Sequence, residues 1–90
     1  MSNQYQKHVG IAKITDPTAV AAKCATMGWN NPHKGAIFCE VPELGYLGVN
    51  LIYCRYGLSI PFIKVQEGWK VWVEPTIRST ERWVYTGVIS

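Results

Sequence analysis

The stretch Glu67–Glu74, EGWKVWVE, gives the clearest indication of the fold. Gly68 supplies the permissive backbone that a tight turn requires. The residues after it alternate, with Val71 and Val73 on one face and Trp72 on the other. This alternation is typical of a strand with one buried face. The stretch therefore predicts a turn followed by a β-strand whose valines face a core.

Four further segments of the chain show strand-like patterns. They are Gln6–Thr15, Ala36–Val41, Val49–Tyr56 and Arg82–Ile89. Pro42 is expected to end the second of these, where a missing N–H does least harm. Gly10 and Gly87 are expected to permit bends within the first and last strands. Because no long parallel crossover connects the strands, we expect a small antiparallel, partly closed barrel.

One short helix is predicted between the first two strands, within an insertion at about residues 16–34. Asp16 is the expected N-cap, Pro17 the first helical residue and Gly28 the residue that ends the helix. Its apolar face is expected to consist of Val20, Cys24 and Met27. The helix either docks a neighbouring protein or plugs one end of the barrel, and the second role is favoured. With these elements, residues 1–90 make up a single domain.

The composition and charge of the chain argue against several classes of protein. Apolar residues make up 48% of the chain and charged residues 17%, which excludes intrinsic disorder. The net charge of +3 is spread over cations that are never adjacent, so no basic stripe of the kind that binds nucleic acid is evident. No apolar run approaches the roughly 20 residues that a membrane span needs. The first residues lack a signal-peptide pattern, and a soluble, unexported chain is expected.

No motif in the sequence indicates enzymatic chemistry, a metal site or a cofactor. Cys24, Cys39 and Cys54 have no metal-ligand spacing, and an odd number leaves at least one thiol unpaired. His8 and His33 are isolated, and no spacing selects a pairing of His33 with Cys24 or Cys39. Phosphate-binding glycine motifs are missing from the sequence. We therefore expect no catalytic residues and no cofactor.

The aromatic side chains have two interpretations. One is a stacking platform for single-stranded nucleic acid; the other is a barrel rim or a subunit interface. The side chains concerned are Tyr53, Tyr56, Trp69, Trp72, Trp83 and Tyr85. The scattered cations favour the second interpretation, so nucleic acid is not the expected partner. Trp72, Trp83 and Tyr85 are the interface candidates.

Several short motifs occur in an order that resembles a known family. They are Val9–Ile14, Val41-Pro42-Glu43-Leu44, Ile60-Pro61-Phe62, Val65–Glu74 and Arg82–Val88. In this order they resemble the OB-fold barrel domain of phage tail central spike and baseplate hub proteins, which are related to type VI secretion spike proteins. The positions that carry the resemblance are Val41, Pro42, Glu43, Leu44, Gly68, Val71, Val73 and Gly87. The insertion at 16–34 stands where that family often has a short hairpin connection.

The resemblance implies a five-stranded OB-type barrel with a structural role and no catalytic residues of its own. It implies self-association, with a trimer favoured, and docking to other phage tail or baseplate proteins. The corresponding location is the virion, with the bacterial cytoplasm during assembly. The alternative function is a single-stranded nucleic-acid-binding OB-fold module.

Overall fold

A computed structural model describes residues 7–29, 32–57, 64–75 and 83–89. The elements in these ranges are β1 (His8–Ile14), α1 (Pro17–Thr26), β2 (Ile37–Glu40), a 3-10 helix (Pro42–Leu44), β3 (Ile52–Tyr56), β4 (Lys70–Pro75) and β5 (Trp83–Val88). All five predicted strands and the predicted helix are therefore present. The expected first-strand residue Gln6, the motif Ile60-Pro61-Phe62 and Arg82 lie outside the described residues.

The five strands form a closed barrel in the order β1-β2-β3-β5-β4, with β4 returning to β1. Four of the pairings are antiparallel and the β3–β5 pairing is parallel. The predicted small five-stranded barrel with one short helix is thus confirmed, and its expected antiparallel character holds for four pairings. The exception has a simple geometric cause, because a closed ring with an odd number of strands cannot alternate direction all the way round.

The interior of the barrel is filled by alternate residues of the strands. Val71 and Val73 point inward from β4, as predicted from the EGWKVWVE stretch, and Trp72 points outward. The remaining buried members of this core are Ala12, Ile37, Cys39, Val41, Ile52, Cys54, Val65 and Tyr85. Ile37 and Cys39 of β2, and Val41 just beyond its end, therefore point into the barrel.

A second core lies outside the barrel, beneath α1. Val20 and Cys24 of the helix pack against Phe38 of β2 and Tyr53 of β3, which alternate with the inward residues of those strands. The helix therefore covers the outer face of β2 and β3, and the expectation that it plugs one end of the barrel is wrong. Met27 does not join this core, because its side chain is 43% exposed.

Both ends of α1 are capped by the residues predicted for them. The Asp16 carboxylate accepts a hydrogen bond from the Ala19 N–H at 3.1 Å. At the other end, Gly28 has a left-handed φ of +81°, and its N–H donates to the Ala25 carbonyl at 3.1 Å. The Trp29 N–H donates to the Cys24 carbonyl at 2.9 Å, which completes a Schellman motif. This motif sets Trp29 edge-on against the Tyr53 ring, with ring centroids 5.2 Å apart.

The glycine predicted to bend β1 has a different role. The irregularity in the pairing of β1 with β2 lies between Ala12 and Ile14, beyond Gly10. Gly10 is buried, and a Cβ atom added there would meet the Val73 Cγ1 at 3.0 Å and the Cys39 Cβ at 3.4 Å. Gly10 therefore lets β1 approach the packed interior closely.

Candidate interaction surface

The structure separates the three residues that the sequence analysis assigned to an interface. Trp72 lies on the outer face of β4 and is 40% exposed. Trp83 is half-buried at the start of β5, whereas Gly87, which pairs with Trp72, lies near the end of that strand. Tyr85 is in the barrel core and 1% exposed, which corrects its assignment, because its side chain offers no surface to a partner.

Trp72 is the centre of an apolar patch that runs across three strands. It pairs with Val9 of β1 on one side and with Gly87 of β5 on the other. Val9 is 36% exposed, and a Cβ atom at Gly87 would lie 3.4 Å from the Trp72 Cδ1. The Trp72 indole therefore lies with its Cδ1 atom beside Gly87, where β5 has no side chain. We call the surface formed by Val9, Trp72 and Gly87 the Trp72 face.

Charged residues border the Trp72 face along β4. Lys70 and Glu74 are two residues before and after Trp72, so they project from the same side of the strand. An apolar centre with polar residues around it is the arrangement typical of protein–protein interfaces.

A second group of exposed apolar side chains lies in the connection from β2 to β3. Leu44, Leu47 and Val49 are the members of this group, which we call the Leu47 turn. Val41 and Tyr46 close the base of the connection through two backbone hydrogen bonds, of 2.9 Å and 3.1 Å. The turn is thus held in a defined shape while its apolar side chains face outward.

Most of the residues that carry the family resemblance have structural roles in the fold. Val41, Val71 and Val73 are buried in the barrel core. Gly68 has a φ of +91°, and its N–H donates to the Ala12 carbonyl at 2.7 Å, which ties the turn before β4 to β1.

The motif Pro42-Glu43-Leu44 forms the 3-10 helix after β2. The Glu43 carboxylate is hydrogen-bonded to the His8 ring and forms an ion pair with it when His8 is protonated. This contact joins the start of β1 to the β2–β3 connection.

Trp83 belongs to a different surface from Trp72. It lines a cleft of about 190 Å³ together with Met27, Trp29, Tyr46 and Leu51. The ring centroids of Trp83 and His8 are 6.1 Å apart.

The six aromatic residues considered for a stacking platform do not share one exposed face. Tyr53 and Tyr85 are buried. Tyr56, Trp69 and Trp83 are partly buried against the barrel core, which leaves Trp72 as the exposed member. Stacking of successive bases needs several exposed rings along one groove.

The three cysteine thiols are all buried and free. A hydrogen bond with Cys39, together with burial, raises the pKa of the Cys54 thiol well above its usual range. Burial also raises the pKa of the Cys24 thiol. These two thiols are protonated at neutral pH, and a protonated thiol is a poor nucleophile. In the described part of the chain, no three His, Cys, Asp or Glu side chains are placed to hold a metal ion.

Sequence reasoning missed a cationic cleft on the outer side of β3 and β5. His33, Lys34, Arg55, Tyr56 and Val84 line this cleft, which has a volume of about 330 Å³. The alternation of β3 places Arg55 on its outer face, but no signal in the sequence brings the 32–35 loop beside it. We call this site the Arg55 cleft.

No protein-family model, curated protein or solved structure matches this chain. Among the helices within the described residues, none is long and apolar enough to cross a membrane. The surfaces are therefore interpreted from their own geometry and chemistry.

Proposed function

We propose that this protein is a non-enzymatic structural component of a phage tail or phage-like injection machine. It acts as an OB-type spike or baseplate barrel that self-associates, as a trimer, and docks other tail proteins in the virion. The observation that carries the self-association is the Trp72 face, where a large aromatic side chain is held exposed beside Val9. The resemblance of the ordered motifs to spike and hub barrels supports the proposed place in a phage tail or phage-like injection machine.

A barrel of this kind associates through side chains on its outer surface. Its described strands form a closed ring, so strand addition at an open edge is not available to them. Tryptophan is the residue type most enriched among side chains that dominate interface energies. The Trp72 face has the composition that a second protein surface can cover, with an exposed tryptophan beside Val9.

A cyclic trimer requires two different surfaces on each subunit, because its contacts run head to tail. The Trp72 face is one such surface, and the Leu47 turn is the other, with Val49 91% exposed. In the proposed trimer, the Trp72 face of one subunit covers the Leu47 turn of the next.

The solution mass, measured by light scattering over a wide range of concentrations, tests this proposal. We expect a stable mass of about three times 10.1 kDa, as closed cyclic association requires. Trp72→Ala should remain folded and raise the concentration needed for assembly by at least about tenfold, because it removes the centre of the interface. Val49→Ser should have the same direction of effect.

Met27→Ala is the matched control, since Met27 is equally exposed but lies outside both surfaces. Its assembly should equal that of the wild type. A wild-type protein that is monomeric at all concentrations, or a Trp72→Ala variant that assembles normally, would refute the proposed self-association.

A further inference from the structure

Arg55, which lines the Arg55 cleft, carries a buried hydrogen-bond donor that the described part of the fold does not use. The Arg55 Nε atom is buried and has no hydrogen-bond partner within the described residues. Leaving a charged donor buried and unpaired costs more free energy than leaving a neutral one. Such a group calls for a specific explanation, and an ion bound by the same side chain is one of them.

Among the described residues, no neighbouring side chain neutralises the positive charge in the cleft. Lys34 lines the cleft beside Arg55, and none of the lining residues is acidic. The ion pair found within the described ranges joins His8 to Glu43, so neither Lys34 nor Arg55 has a described carboxylate within 4.0 Å. His33 lies on the same rim and offers a ring N–H as a further hydrogen-bond donor.

The loop that carries Lys34 is fixed next to β3 and β5 by two hydrogen bonds, and a third lies within the loop. The His33 N–H donates to the Tyr53 hydroxyl at 2.9 Å, and the Ala36 N–H donates to the His33 carbonyl at 3.1 Å. The Tyr85 hydroxyl donates to the Gly35 carbonyl. The cleft is therefore preorganised, which lowers the entropic cost of binding a ligand there.

From this geometry we infer that the Arg55 cleft is a binding site for a phosphate-class oxyanion. A guanidinium offers a planar fork of donors that matches two oxygens of such a group, while a lysine acts as a point charge beside it. A guanidinium and an ammonium group side by side suit a dianion better than a single carboxylate. The volume of about 330 Å³ lies at the small end of ligand sites, which fits a free or terminal phosphate group. This inference is independent of the proposed self-association.

Titration with inorganic phosphate and with pyrophosphate at low ionic strength, followed by NMR, tests the inference. We expect saturable shifts of the Arg55 Nε–H signal and of the backbone N–H signals of residues 33–36. Arg55→Gln should weaken the affinity at least about tenfold, because it removes both the charge and the fork. Arg55→Lys keeps the charge and should still weaken it, since a lysine cannot make the bidentate contact.

Lys34→Gln should weaken binding less than Arg55→Gln, and Lys70→Gln is the matched control. Lys70 is also an exposed cation on a strand, but it lies on β4 outside the cleft and should leave the affinity unchanged. Unchanged backbone spectra away from the site show that each variant is folded.

Three outcomes would overturn the inference. The first is no shift of the Arg55 Nε–H signal with either anion, which would exclude binding of the anion by the guanidinium. The second is an equal loss of affinity in Lys70→Gln and Arg55→Gln, which would indicate attraction by net charge alone. The third is Arg55-dependent binding of a short single-stranded oligonucleotide without binding of either small anion, which would favour a nucleic-acid partner.

Discussion

Tyr85 joins the barrel core to the 32–35 loop through one hydroxyl group. The hydroxyl donates to the Gly35 carbonyl, and the ring packs inside the barrel. Burial is the main cause that raises the pKa of Tyr85 above its usual value of 10.0. Ionisation of this residue therefore opposes the folded state.

We predict that Tyr85→Phe changes the pH dependence of stability. In the wild type, the contribution of neutral Tyr85 is complete below about pH 10 and is lost above it, because only the unfolded chain ionises there. Tyr85→Phe should lose about 1 kcal/mol at neutral pH with its hydrogen bond, and its stability should fall less steeply above about pH 10. Urea unfolding from neutral pH to about pH 11 measures both effects.

Tyr46→Phe serves as the control for this experiment, because Tyr46 is partly buried at the edge of the same core. The raised pKa values of the Cys24 and Cys54 thiols act in the same direction in every variant, so the slope should decrease but not vanish. An alkaline slope identical in Tyr85→Phe and the wild type would contradict the role given to this hydroxyl.

Sequence alone could locate inward residues only where the two faces of a strand differ. Val71 and Val73 alternate with Lys70 and Trp72, so the pattern predicts their inward orientation correctly. In β5 both faces carry apolar residues, since Val84 and Tyr85 are neighbours. Alternation therefore could not show that Tyr85 points into the barrel.

At the scale of elements, α1 depends on its two caps as well as on its packing. We predict that Asp16→Ala destabilises the protein by about 1 kcal/mol, because the Ala19 N–H loses its acceptor. Gly28→Ala should cost about 1 kcal/mol, since a side chain is strained at its left-handed φ although the space around it is open. Chemical denaturation monitored by circular dichroism gives both values.

Thr18→Ala is the matched control, because Thr18 is an exposed residue in the first turn of the same helix. It should leave the stability within about 0.5 kcal/mol of the wild type. A loss in Thr18→Ala as large as that in Asp16→Ala would show that the capping hydrogen bond is not the cause.

The helix itself could be predicted from its sequence, but its position could not. Asp16, Pro17 and Gly28 mark its ends through local chemistry. Its packing surface consists of Phe38 and Tyr53, which come from two strands later in the chain. Only the register of β2 with β3 brings these rings together on one outer face.

At the scale of the whole molecule, the three cysteines are distributed over two separate cores. Cys39 and Cys54 lie inside the barrel, whereas Cys24 lies beneath α1. We predict that Cys24 reacts with a thiol reagent before the other two, because undocking one helix requires less free energy than opening the barrel. Site-resolved mass spectrometry of the native protein measures the order of labelling.

In this experiment, fully denatured protein is the control and should label all three cysteines at similar rates. Native Cys39 and Cys54 should label together, since both become accessible when the barrel opens. Simultaneous labelling of all three native cysteines would instead mean that the two cores open as one unit.

The ring of five strands could be predicted from the turns and strand patterns, whereas its clefts could not. Turn residues such as Gly68 mark the boundaries of strands in the local sequence. Five strands in a small domain favour closure into a barrel. The Arg55 cleft depends on Lys34 and Arg55, which lie on a loop and a strand separated by all of β2. The Trp72 face similarly requires the pairing of β1, β4 and β5.

The pairing of β1 with β4, which closes the barrel, also limits the folding rate of the protein. The paired residues of these strands, from Ile11 with Lys70 to His8 with Val73, are about sixty positions apart in the chain. Such a topology has a high contact order, and domains of this kind fold in milliseconds to seconds. In the native barrel β5 lies between β3 and β4, so during synthesis the sheet stays incomplete until β5 has left the ribosome. The incomplete sheet exposes two strand edges until then, so chaperone binding at this stage should favour correct assembly.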